Sequence, residues 1–146
     1  MSNKYIYLGI GLLVLLGAGF LYTNFLAPEG SRGISTGVIR EFTLTAEKDA
    51  WKFEPDVIEV NQGDTVKLTV VNEDEYDHGL AIDVFGISQR IAAKSTTIIE
   101  FVATQPGEFP YYCSVPCGEG EVDGHTRGHF DQVGKLKVKA AVTVTP

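Results

Sequence analysis

The chain has 146 residues, a formal net charge of −7 and two cysteines. This length allows one folded domain and an appendage. The negative charge argues against nucleic-acid binding, because phosphate recognition needs a basic surface.

The N-terminal segment is apolar and predicts a membrane anchor. Residues 5–25 carry no charged side chain, and as a helix they would extend about 31 Å, the hydrocarbon thickness of a bilayer. We therefore predict a short cytoplasmic N-terminus at residues 1–4 and a transmembrane helix at residues 5–26. Lys4 and the acidic residue beyond the helix favour export of the rest, so the expected location is the cell membrane, single-pass, with the folded domain on the extracytoplasmic side. A cleaved signal peptide is the alternative, although no Ala-x-Ala site follows and the apolar run is long for one.

The remainder of the chain predicts an all-β domain. Residues 27–37 are rich in Gly and Ser and predict a flexible linker, residues 38–141 form the domain, and residues 142–146 form a tail. Alternating residues separated by Gly, Pro, Asn and Asp turns predict seven or eight short strands, with candidates at residues 38–46, 57–60, 65–71, 80–84, 90–92, 96–102, 109–113 and 134–138. Trp51 and Phe53 are expected to pack in the core or at a sheet edge. No segment beyond residue 40 has helical periodicity, so a sandwich or barrel is expected.

Two cysteines and three histidines are the candidate functional residues. Cys113 and Cys117 are separated by three residues, His125 and His129 follow, and His78 lies upstream. In an exported domain two cysteines usually form a disulfide, which is one interpretation. A bridge that closes so short a loop removes little chain entropy, however, so stability alone explains this placement poorly. Thiolates and imidazoles together are typical of sites for copper, zinc or iron.

Zinc and copper would use such a site differently. Zinc would accept two cysteines and two histidines as a closed structural site, but such sites usually stabilise domains with small cores. Copper on a rigid sandwich can change oxidation state with little rearrangement, and burial and the axial ligand tune its reduction potential. The residues therefore favour copper and electron transfer.

Four stretches of the chain resemble the cupredoxins, most closely the CuA domain of cytochrome c oxidase subunit II and of nitrous oxide reductase. They are FEPDVIEVNQGDTVKLTVVN from Phe53, DHGL from Asp77, PGEFPYYC from Pro106 and CSVPCG from Cys113. The resemblance covers nearly all of the predicted domain. It implies a Greek-key β-sandwich with a binuclear copper centre.

The resemblance also implies a ligand set. The family bridges two copper ions with two cysteines spaced as Cys113 and Cys117 are. His78, followed by Gly and an apolar residue, matches the first histidine ligand of the family. The backbone carbonyl that serves as a further ligand falls on Val115.

The second histidine of the family pattern is displaced here, and the methionine is replaced. The family has its second histidine four residues after the second cysteine, where this chain has Glu121. Counted back from the last strand, GHFDQVGKL resembles the family's Gly-His-x-x-Met-x-Gly-x-apolar. This register assigns His129 as the ligand, puts Gln132 in place of the methionine, and implies an insertion of about eight residues. His125 has three open roles: facing solvent, replacing His129, or adding a ligand.

The resemblance implies a membrane-anchored copper electron-transfer protein. It would accept electrons from a donor such as cytochrome c and pass them to a terminal oxidase or a similar partner, with no chemistry of its own, as in subunit II of a cytochrome c oxidase-type complex with other oxidase subunits. Acidic residues around the site would favour docking of a basic donor. The alternatives are copper delivery or storage, a mononuclear copper centre similar to nitrosocyanin, and a metal-free binding module with a Cys113–Cys117 bridge.

Overall fold

The computed structural model describes residues 4–22 and 37–141. The chain divides into two compact units, Met1–Gly33 and Ile34–Pro146. The predicted tail and all but the last residue of the predicted linker lie outside the described residues, so both remain predictions.

The described residues of the first unit form one helix, α1 (Lys4–Leu21). Its 18 residues extend about 27 Å, whereas a helix that crosses a bilayer needs roughly 20 apolar residues. Within the described part of the chain, no helix has the length and apolar character that a membrane crossing requires. The transmembrane helix predicted for residues 5–26 is therefore not supported over residues 5–22, and residues 23–26 lie outside the described residues.

The second unit is an all-β domain with eleven strands among its described residues. They are β1 (Ile39–Ala46), β2 (Phe53–Glu54), β3 (Val57–Asn61), β4 (Thr65–Asn72), β5 (His78–Ile82), β6 (Ile87–Ile91), β7 (Thr96–Val102), β8 (Gly107–Tyr112), β9 (Glu119–Val122), β10 (His125–Gly128) and β11 (Val133–Lys139). The predicted number of seven or eight strands was too small. β2 has only two residues, and β9 and β10 consist mainly of glycine and polar residues without apolar alternation.

The strands form two sheets and a separate hairpin. The first sheet has the order β2-β1-β4-β7, the second has the order β3-β11-β8-β5-β6, and β9 pairs with β10. β1 with β4 and β3 with β11 are parallel pairs, and the other pairs are antiparallel. Strands distant in sequence are neighbours in each sheet, which confirms the predicted sandwich.

Side-chain alternation builds the core between the sheets. Along β4 every second residue from Val66 to Asn72 is buried, and Leu136 and Val138 of β11 are buried in the same alternating way, as expected for a period of two. β5 is buried at all five positions. Its first residue, His78, is therefore a polar side chain in an apolar setting, which requires a hydrogen-bond partner or a ligand.

The candidate site lies where β5 begins and β8 ends. The two strands pair near Tyr112, and β11 begins opposite the end of β8, which brings residues 129–132 to the same place. Gly79 allows β5 to approach the loop after β8. A Cβ at Gly79 would overlap the side chain of Ser114 and lie 2.9 Å from its backbone nitrogen.

Candidate metal centre

His78 is held by a carboxylate on one ring nitrogen and faces a thiol with the other. The side chain has no exposed surface. Its Nε2 lies 2.7 Å from Asp74 Oδ2, and its Nδ1 lies 3.8 Å from Cys113 Sγ. Burial lowers the pKa of His78, but hydrogen bonding to Cys113 and Asp74 outweighs burial and holds the pKa above its ordinary value.

The two cysteines lie side by side as free thiols. The Cys113 and Cys117 sulfurs are 3.5 Å apart, far beyond the ~2.05 Å of a disulfide bond. Cys113 Sγ accepts the Gly79 N–H at 3.3 Å and lies 3.2 Å from the carbonyl oxygen of Val115. Both sulfurs and a ring nitrogen of His78 lie within 4.8 Å of one another. This group is compact enough to hold a metal ion.

The two thiols differ in how readily they ionise. Burial raises the pKa of Cys113, but hydrogen bonds from His78 and from the Gly79 N–H outweigh it and lower the pKa to about 6. Burial raises the pKa of Cys117 to about 12, and the neighbouring charge of Cys113 adds to this rise. A bound cation would favour the ionised form of both sulfurs, because it attracts negative charge.

His129 and Gln132 reach the cluster from the connection between β10 and β11. His129 is half-buried, and its Nδ1 lies 3.8 Å from Cys117 Sγ. Gln132 is fully buried, with Oε1 at 3.5 Å from the same sulfur. Its backbone carbonyl accepts the Cys113 N–H at 3.0 Å, but its Nε2 has no partner among the described residues. An unpaired buried N–H costs about 1–3 kcal/mol, so packing alone does not explain this amide.

Six of the seven predicted ligand residues therefore come together, and His125 does not. His125 is exposed on β10, opposite Val122 in the hairpin. None of the contacts found for the described residues joins it to Cys113 or Cys117. Val115 lies in the loop between the cysteines and presents its carbonyl to the first of them.

Asp74 and Trp51 support the cluster in ways that the sequence did not indicate. Asp74 belongs to the acidic run that precedes His78, and it is fully buried against that histidine. The Trp51 indole N–H donates to the Cys117 carbonyl at 3.1 Å, and its ring stacks on Tyr76, which lies against His78. Trp51 has φ of +46°, a conformation that costs a non-glycine residue of order 1–3 kcal/mol. Its contacts with the cysteine loop offset that cost.

Open space adjoins the cluster on the cysteine-loop side. Clefts of about 470 and 490 Å³ both border residues 116–119, and a third of about 330 Å³ lies beside Cys113 and His129. Phe130 projects at this rim with 90% of its surface exposed. The Cys117 and His129 end of the cluster is therefore accessible to a partner, whereas His78 is enclosed.

The donor atoms fit a soft metal ion. Two thiols, two imidazole nitrogens and two oxygens converge, and thiolate with imidazole selects copper, zinc or iron over magnesium or calcium. The unpaired amide of Gln132 beside Cys117 adds a donor oxygen that no packing requirement explains. The residues present therefore fit bound copper.

Comparison with known proteins decides the family. The profile of the cupredoxin-like domain matches residues 20–122. The chain is a cupredoxin. This family of copper electron-transfer proteins is the one that the sequence motifs predicted, although the matched region ends before His129 and Gln132.

Two relatives and one solved structure illustrate the likeness. Nitrous-oxide reductase from Stutzerimonas stutzeri is 36% identical over 85 residues, which are 56% of this cupredoxin and 12% of that enzyme. Plastocyanin from Synechococcus sp. (strain JA-2-3B'a(2-13)) is 34% identical over 123 residues, which are 76% of this chain and 85% of the plastocyanin. The periplasmic domain of cytochrome oxidase subunit II (CoxB) of Bradyrhizobium japonicum has the same fold. It matches with a TM-score of 0.51 at 17% identity, covering 68% of this chain and 83% of that chain.

Proposed function

We propose that this cupredoxin holds a binuclear copper centre of the CuA type and transfers electrons one at a time. The arrangement around the two thiols carries the proposal. The sulfurs lie 3.5 Å apart without bonding, and each has its own imidazole nitrogen at 3.8 Å. One sulfur also has an oxygen at 3.2 Å and the other has one at 3.5 Å. Two matching sets of donors around two shared sulfurs suit two ions better than one.

The proposed ligands fall into two groups around the shared sulfurs. The full set is His78, Cys113, Val115 through its carbonyl, Cys117, His129 and Gln132 through its side-chain oxygen. Bound copper would supply the one-electron redox chemistry. The protein would supply thiolates and imidazoles as the main ligands, and oxygens that would adjust the reduction potential.

Hydrogen bonds around the cysteine loop favour electron transfer over metal delivery. The Cys113 N–H donates to the Gln132 carbonyl at 3.0 Å, the Gly79 N–H donates to the Cys113 sulfur, and the Trp51 indole donates to the Cys117 carbonyl. These bonds tie the loop to three other parts of the chain. A ligand set held in this way changes little between oxidation states, whereas delivery requires ligands that release the ion readily.

The donor that we propose is a basic protein such as a cytochrome c, and the acceptor is a terminal oxidase or a similar partner. The fold shared with the periplasmic domain of an oxidase subunit II supports this pairing. Glu119, Glu121 and Asp123 are exposed on the hairpin beside the cluster, and such a surface attracts a basic protein. Asp74 contributes little to docking, because it is buried.

We also propose that the copper domain works outside the cytoplasm. Its likeness to a periplasmic domain supports this location. Protease added to intact spheroplasts should digest the domain, and fractionation of the same cells reports whether the protein is recovered with membranes. Digestion only after lysis would contradict the proposed location.

A mononuclear copper centre is the second candidate. The donor atoms of His78, Cys113 and Cys117 form one compact group, which is sufficient for a single ion. His129 is only half-buried, and its Nδ1 lies 3.8 Å from the second sulfur of the pair. The number of copper ions bound per chain separates the two candidates.

Copper reconstitution of the full-length protein tests the proposal. We expect two copper ions per chain, and an electron paramagnetic resonance spectrum with hyperfine splitting from two equivalent nuclei. Splitting from a single nucleus with one ion per chain would support the mononuclear centre. A colourless protein that exchanges Cu(I) readily would support delivery. A protein that takes up no copper would overturn both the binuclear and the mononuclear candidate.

A matched pair of histidine variants tests the ligand assignment. His129→Asn should abolish the two-nucleus signal, because it removes the nitrogen beside Cys117. His125→Asn is the control, since it makes the same change on an exposed residue four positions away and should leave the signal intact. The reverse result would assign His125 as the ligand.

A further inference from the structure

The buried carboxylate of Asp74 is placed to control His78. Asp74 has no exposed surface, and its two oxygens have different partners. Oδ2 lies 2.7 Å from His78 Nε2, and Oδ1 accepts the Asp49 backbone N–H at 2.7 Å. The Asp74 backbone is itself fixed, because its N–H donates to Asn72 Oδ1 at 2.9 Å and its carbonyl accepts the Lys94 N–H at 3.0 Å. Contacts on both oxygens therefore hold the carboxylate toward the ring.

We propose that Asp74 is a positioning residue that fixes the tautomer and ring orientation of His78 and whose negative charge lowers the reduction potential of the metal centre. An ionised carboxylate only accepts hydrogen bonds. Nε2 must therefore carry a proton. Nδ1 is then the nitrogen that faces the thiols, and a bound metal ion would take its lone pair in place of the hydrogen bond to Cys113. A buried negative charge close to the centre favours the oxidised state, which carries more positive charge. This inference rests on the proposed copper function.

The two partners of Asp74 explain why a carboxylate stands here rather than an amide. Both partners are donors: the Asp49 N–H and the protonated Nε2 of His78. A carboxylate accepts on both oxygens, whereas an asparagine side chain offers one oxygen and one NH₂ group. Asp74→Asn would therefore set a donor against a donor at one of the two contacts. The site is fully buried, so a solvent molecule would not readily replace the lost acceptor.

Asp77 provides the matched control. It is adjacent to His78 in sequence, but its carboxylate bonds to Arg90 and to the Ala93 N–H rather than to the imidazole. Asp77→Asn removes the same charge from a partly exposed, already paired side chain. It therefore reports the effect of charge without the contact to the ring.

The experiment compares copper-loaded wild type, Asp74→Asn and Asp77→Asn. We expect the reduction potential measured by voltammetry to rise in Asp74→Asn, and copper affinity measured by chelator competition to fall about 10- to 100-fold, as is common when the partner of a ligand histidine is removed. Asp77→Asn should remain close to wild type in both measurements. Equal shifts in the two variants would overturn the proposal, because they would reflect charge alone.

A second measurement uses the metal-free wild-type protein and does not depend on copper binding. Long-range ¹H–¹⁵N spectra should show His78 protonated on Nε2, with a slowly exchanging proton that is lost in Asp74→Asn and kept in Asp77→Asn. An unprotonated Nε2 in wild type would overturn the positioning role even if copper binds. If copper does not bind but Nε2 carries this protected proton, the copper function fails and the assigned contact stands. The wild-type spectrum decides the point even if Asp74→Asn does not fold.

Discussion

Gln132→Met is expected to stabilise the metal-free protein and to raise the reduction potential of the copper form. Gln132 is fully buried, its Nε2 is unpaired among the described residues, and its Oε1 contacts Cys117 Sγ at 3.5 Å. The unpaired N–H costs about 1–3 kcal/mol, and the weak contact to sulfur returns at most about 1 kcal/mol. Methionine is also unbranched and has no N–H to bury, so the free energy of unfolding should increase by about 1–2 kcal/mol. In the copper form a soft thioether would replace a harder oxygen donor, which favours the reduced state.

Denaturant unfolding of the metal-free, reduced protein measures the first effect, and voltammetry measures the second. Gln62→Met is the control, because both polar atoms of the Gln62 amide have a hydrogen-bond partner. It donates to the Thr104 carbonyl at 3.0 Å and accepts the Ala141 N–H at 3.2 Å, so the same substitution there should lower stability by about 1 kcal/mol. If Gln132→Met lowers stability as the control does, the amide is not unpaired and the reasoning is refuted. An unchanged potential would remove Gln132 from the ligand set.

Three further predictions follow from the structure. Burial raises the pKa of Tyr111 above the ordinary value, so its contribution to stability is complete below about pH 10 and is lost as pH rises from there toward the folded-state pKa. Above about pH 10, wild type should therefore lose up to about 1.4 kcal/mol of stability per pH unit more than Tyr111→Phe does. Urea midpoints that fall equally with pH in the two proteins would contradict this. Gly79→Ala places a Cβ 2.9 Å from the Ser114 backbone nitrogen, so we expect a loss of about 1–3 kcal/mol in thermal unfolding and reduced copper uptake; normal uptake would show that the cysteine loop does not need this approach. Electron transfer from cytochrome c should slow as ionic strength rises from about 0.01 to 0.15 M, because the screening length falls from about 30 to 8 Å, while the rate with an uncharged reductant stays constant; equal salt dependence for both reductants would argue against electrostatic docking.

The strands that sequence predicted well are those with clear alternation. The predicted strand at residues 65–71 ends one residue before β4 does, and the one at residues 38–46 begins one residue before β1 does. Alternation is a local property, because it depends only on which face of the strand each side chain occupies. β9 and β10 have no such pattern, since their glycine and charged residues pair in an exposed hairpin. The sequence accordingly indicated a loop there.

Some residues of the candidate site could likewise be predicted from the sequence, and others could not. Cys113 and Cys117 are close in sequence, so their proximity could be expected from spacing alone, and the family resemblance added His78, Val115, His129 and Gln132. The roles of two supporting residues, Trp51 and Asp74, could not be predicted. Asp74 stands in an acidic run whose composition indicates a solvated loop, and only the packing of β5 against its neighbours shows that it is buried.

The local sequence determined the sulfur pair, the alternating strands and the membership in an electron-transfer family, because each depends on residue types within a few positions of one another. The tertiary structure decided which histidine joins the sulfurs, how His78 is oriented and what holds the cysteine loop. Those contacts join residues far apart in the chain, such as Trp51 and the Cys117 carbonyl, which are separated by 66 positions. Sheet pairing sets such distances, and it depends on the packing of the whole domain rather than on any one segment.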